Sequence, residues 1–269
     1  MSKTIFITGA STGLGKHSAM LFAKNGWQVI ATMRKPADGA EIAALPNVQV
    51  LALDVTDLAQ IDAVVAEVIG RTKVDVVFNN AGYGLAGPFE GATDEQLRRQ
   101  LDTNLLGVMR VTKAFLPHFR ANKDGIFITT TSIGGHVAFP FNSVYHATKW
   151  ALEGWSESLT YECAPFGIRV KTVAPGGIST DFASRSLVLT EQPAYQAMVD
   201  KVLKVFTDPK RATSYSTADQ IAEVVWTAAT DGSSQLRYIA GKDAKTLYRF
   251  RQWFGHKFFM KQIQKRFLK

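Results

Sequence analysis

The chain has one cysteine, Cys163, in 269 residues, so an internal disulfide is excluded and a reducing compartment suits it. It lacks any run of about eighteen apolar residues, which excludes a helix spanning a bilayer. The first apolar strand is entered by Thr4, leaving no room for a secretory leader, so a cytoplasmic protein is expected. There is no sequence repeat, low-complexity tract or flexible linker. The five histidines (17, 118, 136, 146 and 256) show no ligand spacing and the cysteine has no partner, so no metal site is expected. His146 follows Tyr145 and faces another side of its helix; His136, four past Ser132, borders the pocket or, as the favoured expectation, sits in a surface loop.

What is present is a well-patterned apolar chain. At 46% apolar residues it can bury one large core, and α/β folds of this length are commonly one domain. Short apolar runs fall at about 3–8, 27–32, 48–53, 74–79, 125–131, 168–174 and 236–240. Between them lie helix-period segments at about 14–25, 57–70, 93–121 (broken near Gly107), 143–164 and 217–230. This alternation predicts an α/β fold, a single doubly wound parallel sheet of about seven strands with helices on both faces. Ligands of such sheets sit beyond the carboxyl ends of the strands, near the switch in strand order.

Two motifs carry chemistry. After the first strand come Gly9, Ser11, Thr12, Gly13 and Gly15, and a helix opens at Leu14. The glycines permit a tight turn and close approach of backbone to a pyrophosphate. The helix start offers unpaired N–H groups, to which Ser11 and Thr12 add hydroxyls. The second motif is Tyr145 and Lys149, four apart on one helix face. An ammonium beside a phenol is expected to pull the tyrosine below its free pKa of about 10, suiting it to proton transfer near neutral pH. Seven tyrosines and eighteen lysines give about half such a pair by chance, and Tyr238 with Lys242 is a second one. Ser132 stands thirteen residues before Tyr145, whereas Val225 stands thirteen before Tyr238. The serine makes the trio specific.

Taken in order, Thr8-Gly9, Gly13, Gly15, Asp54, Asn79-Asn80-Ala81-Gly82, Asn104, Ser132, Tyr145, Lys149, Pro175-Gly176 and Thr180 resemble the short-chain dehydrogenase/reductase family. The resemblance spans residues 3 to about 241 and is to its single-domain, Rossmann-like branch. It implies an NAD(P)-dependent oxidoreductase acting on a carbonyl or alcohol, with Asn104, Ser132, Tyr145 and Lys149 as catalytic residues. It further implies that Asp54 and the Val55 backbone meet the adenine, and that Asn80 and Gly82 line the adenosine side. Ile178 and Thr180, after Pro175 and Gly176, would hold the nicotinamide. Lys149 would also hold the nicotinamide ribose, and Asn104 would seat a water. A homodimer or homotetramer built through the 93–121 and 143–164 helices is implied as well.

Cofactor choice turns on the end of the second strand. Met33 stands where an acid would bind the ribose, and Arg34 follows, so NADP(H) is expected over NAD(H). Arg34 and Lys35 can equally form a solvated loop, and Thr12 stands where many NADP-using relatives carry a basic residue. Gly134, His136, Phe139, Pro140 and Phe141 follow Ser132. A lid is expected at 179–216, contributing Phe182, Leu187, Val188, Leu189, Tyr195, Met198 and Phe206. An apolar ketone, aldehyde or alcohol suits this lining; separately, the stretch Asn79 to Glu90 and the C-terminal extension resemble the steroid- and retinol-dehydrogenase-like members. A 3-oxoacyl thioester reductase and a non-catalytic NADP-sensing protein are the alternatives.

Residues 1–241, the catalytic domain, balance 22 basic against 22 acidic residues, whereas 242–269 hold nine Lys/Arg and one acid. This extension is expected to be helical and broken at Gly255, with Phe250, Phe254 and Phe258 packing on the body of its own or a partner subunit. Peripheral membrane contact is the less favoured reading. No nucleic-acid module accompanies the charge.

Overall fold

The computed structural model describes residues 2–179, 186–206, 208 and 214–267. Seven strands form one sheet: β1 (Thr4–Thr8), β2 (Gln28–Met33), β3 (Val48–Ala52), β4 (Val76–Asn79), β5 (Gly125–Thr130), β6 (Ile168–Pro175) and β7 (Arg237–Ala240). Their order is β7-β6-β5-β4-β1-β2-β3, and every neighbouring pair is parallel. The chain starts mid-sheet, winds outward to β3, then returns to β4 on the other side of β1. All seven expected strands are present, each within two residues of its expected bounds.

Both faces of the sheet are covered, which is why the central strands read as continuous apolar runs. All five residues of β1 are buried. Ile5 and Ile7 join Phe22, Trp27, Ile221 and Val225 beneath helices α1 (Gly13–Lys24) and α7 (Ala218–Thr230). Phe6 points the other way, among Val65, Phe115, Phe119 and Leu159. That layer consists of α2 (Leu58–Arg71), α4 (Gly107–Asn122) and α5 (Ser143–Cys163). Each such buried phenylalanine or isoleucine contributes about 1.5–3 kcal/mol, so the site rests on a stiff platform.

The long helix expected over 93–121 is interrupted one turn before Gly107. Helix α3 (Asp94–Leu101), capped by a Thr93–Gln96 box, runs into a π turn at Asp102–Leu106, and α4 follows. The wide turn directs the buried Asn104 at backbone groups of Tyr83.

Two short parallel ladders, invisible to periodicity at this length, anchor the segment after β6. Leu187–Leu189 pairs with Gly84–Ala86, and Ser216–Thr217 pairs with Ile178–Ser179. The ladders and helix α6 (Gln196–Phe206) are the described parts of the expected lid. Thr180, Phe182 and the side chain of Phe206 lie outside the described residues.

Helix α8 (Lys242–Phe267) is kinked at Gly255, φ 72°. Ala244 and Phe259 pack with Ile133 and Val137 in a third core cluster, and Phe267 is also buried. Within one subunit the expected packing of the aromatic stripe is partial. Phe250, Phe254 and Phe258 stack on one another at 4.8–5.7 Å, but Phe254 and Phe258 are exposed. The kink turns them away from the body, and Phe259, one position on, takes the buried place.

Candidate active site

A shallow recess lies where the strand order reverses, lined by Thr8, Val55, Asn79, Ala81, Thr103, Gly107 and Val108. On its β1 side the chain turns from Gly9 into α1. Thr12 precedes the helix in extended backbone, its side chain caps nothing, and no acid occupies the first turn. The leading N–H groups of α1 therefore have no side-chain cap and carry the positive end of the dipole. At Gly13, φ +51°, a Cβ would meet no heavy atom within 4 Å. At Gly15 a Cβ would lie 2.3 Å from the Gly9 carbonyl oxygen. Ser11 is half-buried, Thr12 exposed, and Leu14 buried in the core. Open space before an uncapped helix start fits a pyrophosphate.

The asparagine after β4 ties this loop to the rest of the site. Asn80 Nδ2 donates to the carbonyls of Thr8 and Gly9 at 3.2 and 3.1 Å. Its Oδ1 accepts from Thr130 Oγ1 at 3.2 Å, and Lys149 Nζ donates to the Thr130 carbonyl at 2.8 Å. One hydrogen-bonded path thus runs from the glycine turn to Lys149. The amide of Asn80 is engaged in this path, and Gly82 is exposed.

Asp54 Oδ1 accepts from the Thr56 backbone and hydroxyl at 2.9 and 2.8 Å, while Asp57 caps α2. Val55 is buried against Gly107. Met33 is buried as the last residue of β2, and Arg34 is the first exposed side chain beyond it. Arg34 pairs with no carboxylate among the described residues. At the end of β6, Pro175 and Gly176 lead to Gly177, whose N–H donates to Asp243 Oδ2 at 2.8 Å. Ile178 pairs with Ser216.

Ser132, Tyr145 and Lys149 are brought together. Ser132 leaves β5 in extended backbone, and its Oγ accepts from Gly134 N at 3.0 Å. The Ser132 hydroxyl lies near enough to the Tyr145 phenol to favour its ionised form. Lys149 lies one turn along α5, its Nζ 5.8 Å from the Tyr145 ring centroid. The expected lowering of the phenol pKa is reversed. Burial raises Tyr145 above its ordinary value, with the neighbouring Ser132 hydroxyl opposing. Lys149 is itself lowered to about 8 by burial, which the charge of Glu153 partly offsets. An ammonium directed at the Thr130 carbonyl does little for the phenolate.

Asn104 is fully buried. Its Oδ1 accepts from Tyr83 N at 3.0 Å and its Nδ2 donates to Tyr83 O at 2.8 Å. The side chain therefore holds the strand Gly84–Ala86, and through it Leu187–Leu189, in place.

Sequence patterning missed Glu153 and Asp243. Glu153 stands four residues beyond Lys149 and is buried. Burial would raise its carboxyl, but the nearby His136 and hydrogen bonds from Thr131 and Arg237 hold it below the ordinary range. The spacing Tyr145, Lys149, Glu153 was the available signal. His136 does not sit in a surface loop: its Nε2 is 3.3 Å from Glu153 Oε1 and its side chain is 13% exposed. His146 is buried and lowered to about 4. Asp243, the lone acid among the nine terminal cations, fastens the loop after β6. Among the described residues no three His, Cys, Asp or Glu side chains gather as metal ligands.

A doubly wound sheet with a phosphate-type turn at its switch point, facing a Ser–Tyr–Lys cluster, is the frame of a nicotinamide-dependent oxidoreductase. The chain belongs to the short chain dehydrogenase family, whose profile matches residues 3–187. Human 17-beta-hydroxysteroid dehydrogenase type 1 is 31% identical over 268 residues, 93% of this chain and 81% of that one. A short-chain dehydrogenase from Streptomyces avermitilis superposes with a TM-score of 0.85 at 33% identity, covering 94% and 93% of the two chains. ElxO with NADP bound superposes with a TM-score of 0.77 at 25% identity, covering 91% and 100%. The protein is thus an oxidoreductase acting on CH–OH and C=O groups with a nicotinamide cofactor.

Proposed function

We propose that this chain interconverts an apolar ketone or aldehyde and its alcohol with NADP(H), Tyr145 serving as general acid and base. The observation carrying the reading is the gathering of Tyr145, the buried Lys149 with its Nζ 5.8 Å from the Tyr145 ring, and the Ser132 hydroxyl beside the phenol, at the carboxyl end of β5. A bound dihydronicotinamide supplies hydride to the carbonyl carbon. The Ser132 hydroxyl orients and polarises the carbonyl oxygen. The phenol of Tyr145, raised by burial, is protonated at neutral pH and donates its proton to the developing alkoxide. Lys149 stands next in the relay, and the Asn80–Thr130 path fixes it relative to the glycine turn. Asn104 positions the Tyr83 backbone and the strand beyond it. Gly9 to Gly15 would hold the pyrophosphate, Asp54 and Val55 the adenine, and Pro175 to Ile178 the nicotinamide.

The relay has a direction in pH. With its pKa lowered to about 8, Lys149 is an ammonium below that value and a neutral amine above it. Carbonyl reduction, which consumes the relay's proton, should therefore lose kcat as pH rises through about 8. A stopped-flow pH series would check this; a rate flat well into the alkaline range would remove Lys149 from the relay.

NADP(H) is favoured because Arg34 is exposed, pairs with no acid among the described residues, and directly follows β2. ElxO, a structural neighbour, has NADP bound. Arg34→Ala should raise KM for NADPH about 10- to 100-fold, the range of a lost charge-assisted hydrogen bond or two, and leave NADH nearly unchanged. Equal losses for both would refute the clamp.

An apolar substrate suits the notch beside Val144, lined also by Leu85, Ala86 and Phe89, and the exposed Leu189 and Met198. The human relative's steroid activity is of that class. A panel of apolar ketones, aldehydes, steroids and 3-oxoacyl thioesters with NADPH and NADH tests the reading. Tight NADPH binding with no turnover of any substrate would instead support a sensor. A homodimer or homotetramer through α3–α4 and α5 is part of the proposal, since Leu101, Leu106 and Tyr161 are exposed there. So is a cytoplasmic setting, which suits a free, buried Cys163 whose thiol is pushed up to about 11.

A further inference from the structure

Helix α8 presents an unusual surface at its kink. Residues 252–258 are all exposed, among them Trp253 at 77%, Phe254 at 54% and Phe258 at 42%, with Met260 at 54% beyond them. These side chains are not loose. Phe250, Phe254 and Phe258 form one stack, and Phe259 and Phe267, 2% exposed each, pin the opposite side of the helix to the body. Arg251 lies 5.4 Å from the Trp150 ring on α5 and 5.8 Å from Phe259. The apolar tip is therefore held outward by a packed base.

Around the tip lies charge of one sign. Seven Lys and Arg residues of the helix are exposed, and none forms an ion pair among the described residues. The only acid, Asp243, is turned inward onto Gly177. A partner must therefore accept aromatic side chains and neutralise cations together. A second copy docked face to face would oppose two segments of net charge +8, and residues 1–241, balanced at 22 and 22, offer no compensating excess. A surface with anionic headgroups above an acyl layer meets both requirements: Trp and Phe settle at the headgroup–acyl boundary, and Lys and Arg remain among the headgroups. No helix of the described residues is long and apolar enough to cross a bilayer, so the contact is peripheral.

We propose that the kinked helix Lys242–Phe267 docks this protein on anionic lipid surfaces, inserting Trp253, Phe254, Phe258 and Met260. The full chain should co-sediment with vesicles of phosphatidylcholine and phosphatidylglycerol at about 0.1 M salt, and weakly or not at all with phosphatidylcholine alone. Lys257→Glu with Lys261→Glu should lower partitioning at least about fivefold for each cation lost. Trp253→Ser with Phe254→Ser and Phe258→Ser should lower it more than about tenfold. Circular dichroism and nicotinamide affinity, unchanged in both variants, would show that the fold survives. Failure of the unaltered chain to bind anionic vesicles would overturn the proposal, as would undiminished binding by the aromatic variant. Dissociation of an oligomer by the aromatic variant would assign the tip to self-association instead. Equal affinity for a duplex oligonucleotide would reduce the effect to charge alone and equally overturn it.

Discussion

Tyr145→Phe should lower kcat for carbonyl reduction by about 10²- to 10⁴-fold, the contribution of a positioned general acid, with nicotinamide affinity unchanged. The substitution removes one hydroxyl and little else. Ser132 keeps its bond from Gly134 N, Lys149 keeps Thr130, and the ring stays on the same face of α5. Removing one hydroxyl costs about 1 kcal/mol of stability, too little to unfold the chain. The residual rate would come from Ser132 and from orientation. Ser132→Ala should cost less, because the phenol still donates. Single-turnover rates with fluorescence titration of the cofactor separate the two quantities. Near-normal turnover in Tyr145→Phe would remove this residue as the proton donor.

The direction of the Tyr145 shift bears on that experiment. Sequence spacing places an ammonium near the phenol and implies a lowered pKa, but spacing carries no information on where Nζ points. In the fold it points at Thr130 O, and burial decides. A protonated phenol is the form reduction needs, so the correction favours the proposed direction of proton transfer.

Elements with strong local signals were legible in the sequence. Parallel strands buried on both faces give long apolar runs, and all seven were found; the glycine turn, Ser132, Tyr145 and Lys149 announce themselves by spacing. Features made by tertiary contact were not. The ladders Gly84–Ala86 with Leu187–Leu189 and Ile178–Ser179 with Ser216–Thr217 are too short for any period. The bonds from Asn104 to Tyr83 and from Asp243 to Gly177 join residues 21 and 66 positions apart, and no local pattern reports them. The aromatic stripe was visible, but which members would be buried depended on the turn at Gly255. Three glycines after β1 looked equivalent and prove to be different.

That difference sets the other large expected effect. Gly15→Ala would place its Cβ 2.3 Å from the Gly9 carbonyl oxygen and 2.6 Å from Asn80 Nδ2. Neither can yield freely: one is backbone, and the other holds Thr8, Gly9 and, through Thr130, Lys149. Overpacking together with strained hydrogen bonds should cost about 3 kcal/mol or more, about 6–12 °C in Tm for a chain of this size. Cofactor binding and turnover should fail together, since both ends of the path move. Gly13→Ala meets no heavy atom within 4 Å, so its stability cost is confined to the left-handed backbone, about 1–2 kcal/mol. Its methyl projects into the space before the helix start, where the pyrophosphate is proposed to sit. Thermal unfolding with and without NADPH distinguishes the two: Gly15→Ala lowers Tm in the absence of cofactor, whereas Gly13→Ala chiefly abolishes the rise that NADPH brings. If both variants lost Tm equally and both retained the NADPH-dependent rise, the turn would be structural alone, and the pyrophosphate would have to bind elsewhere.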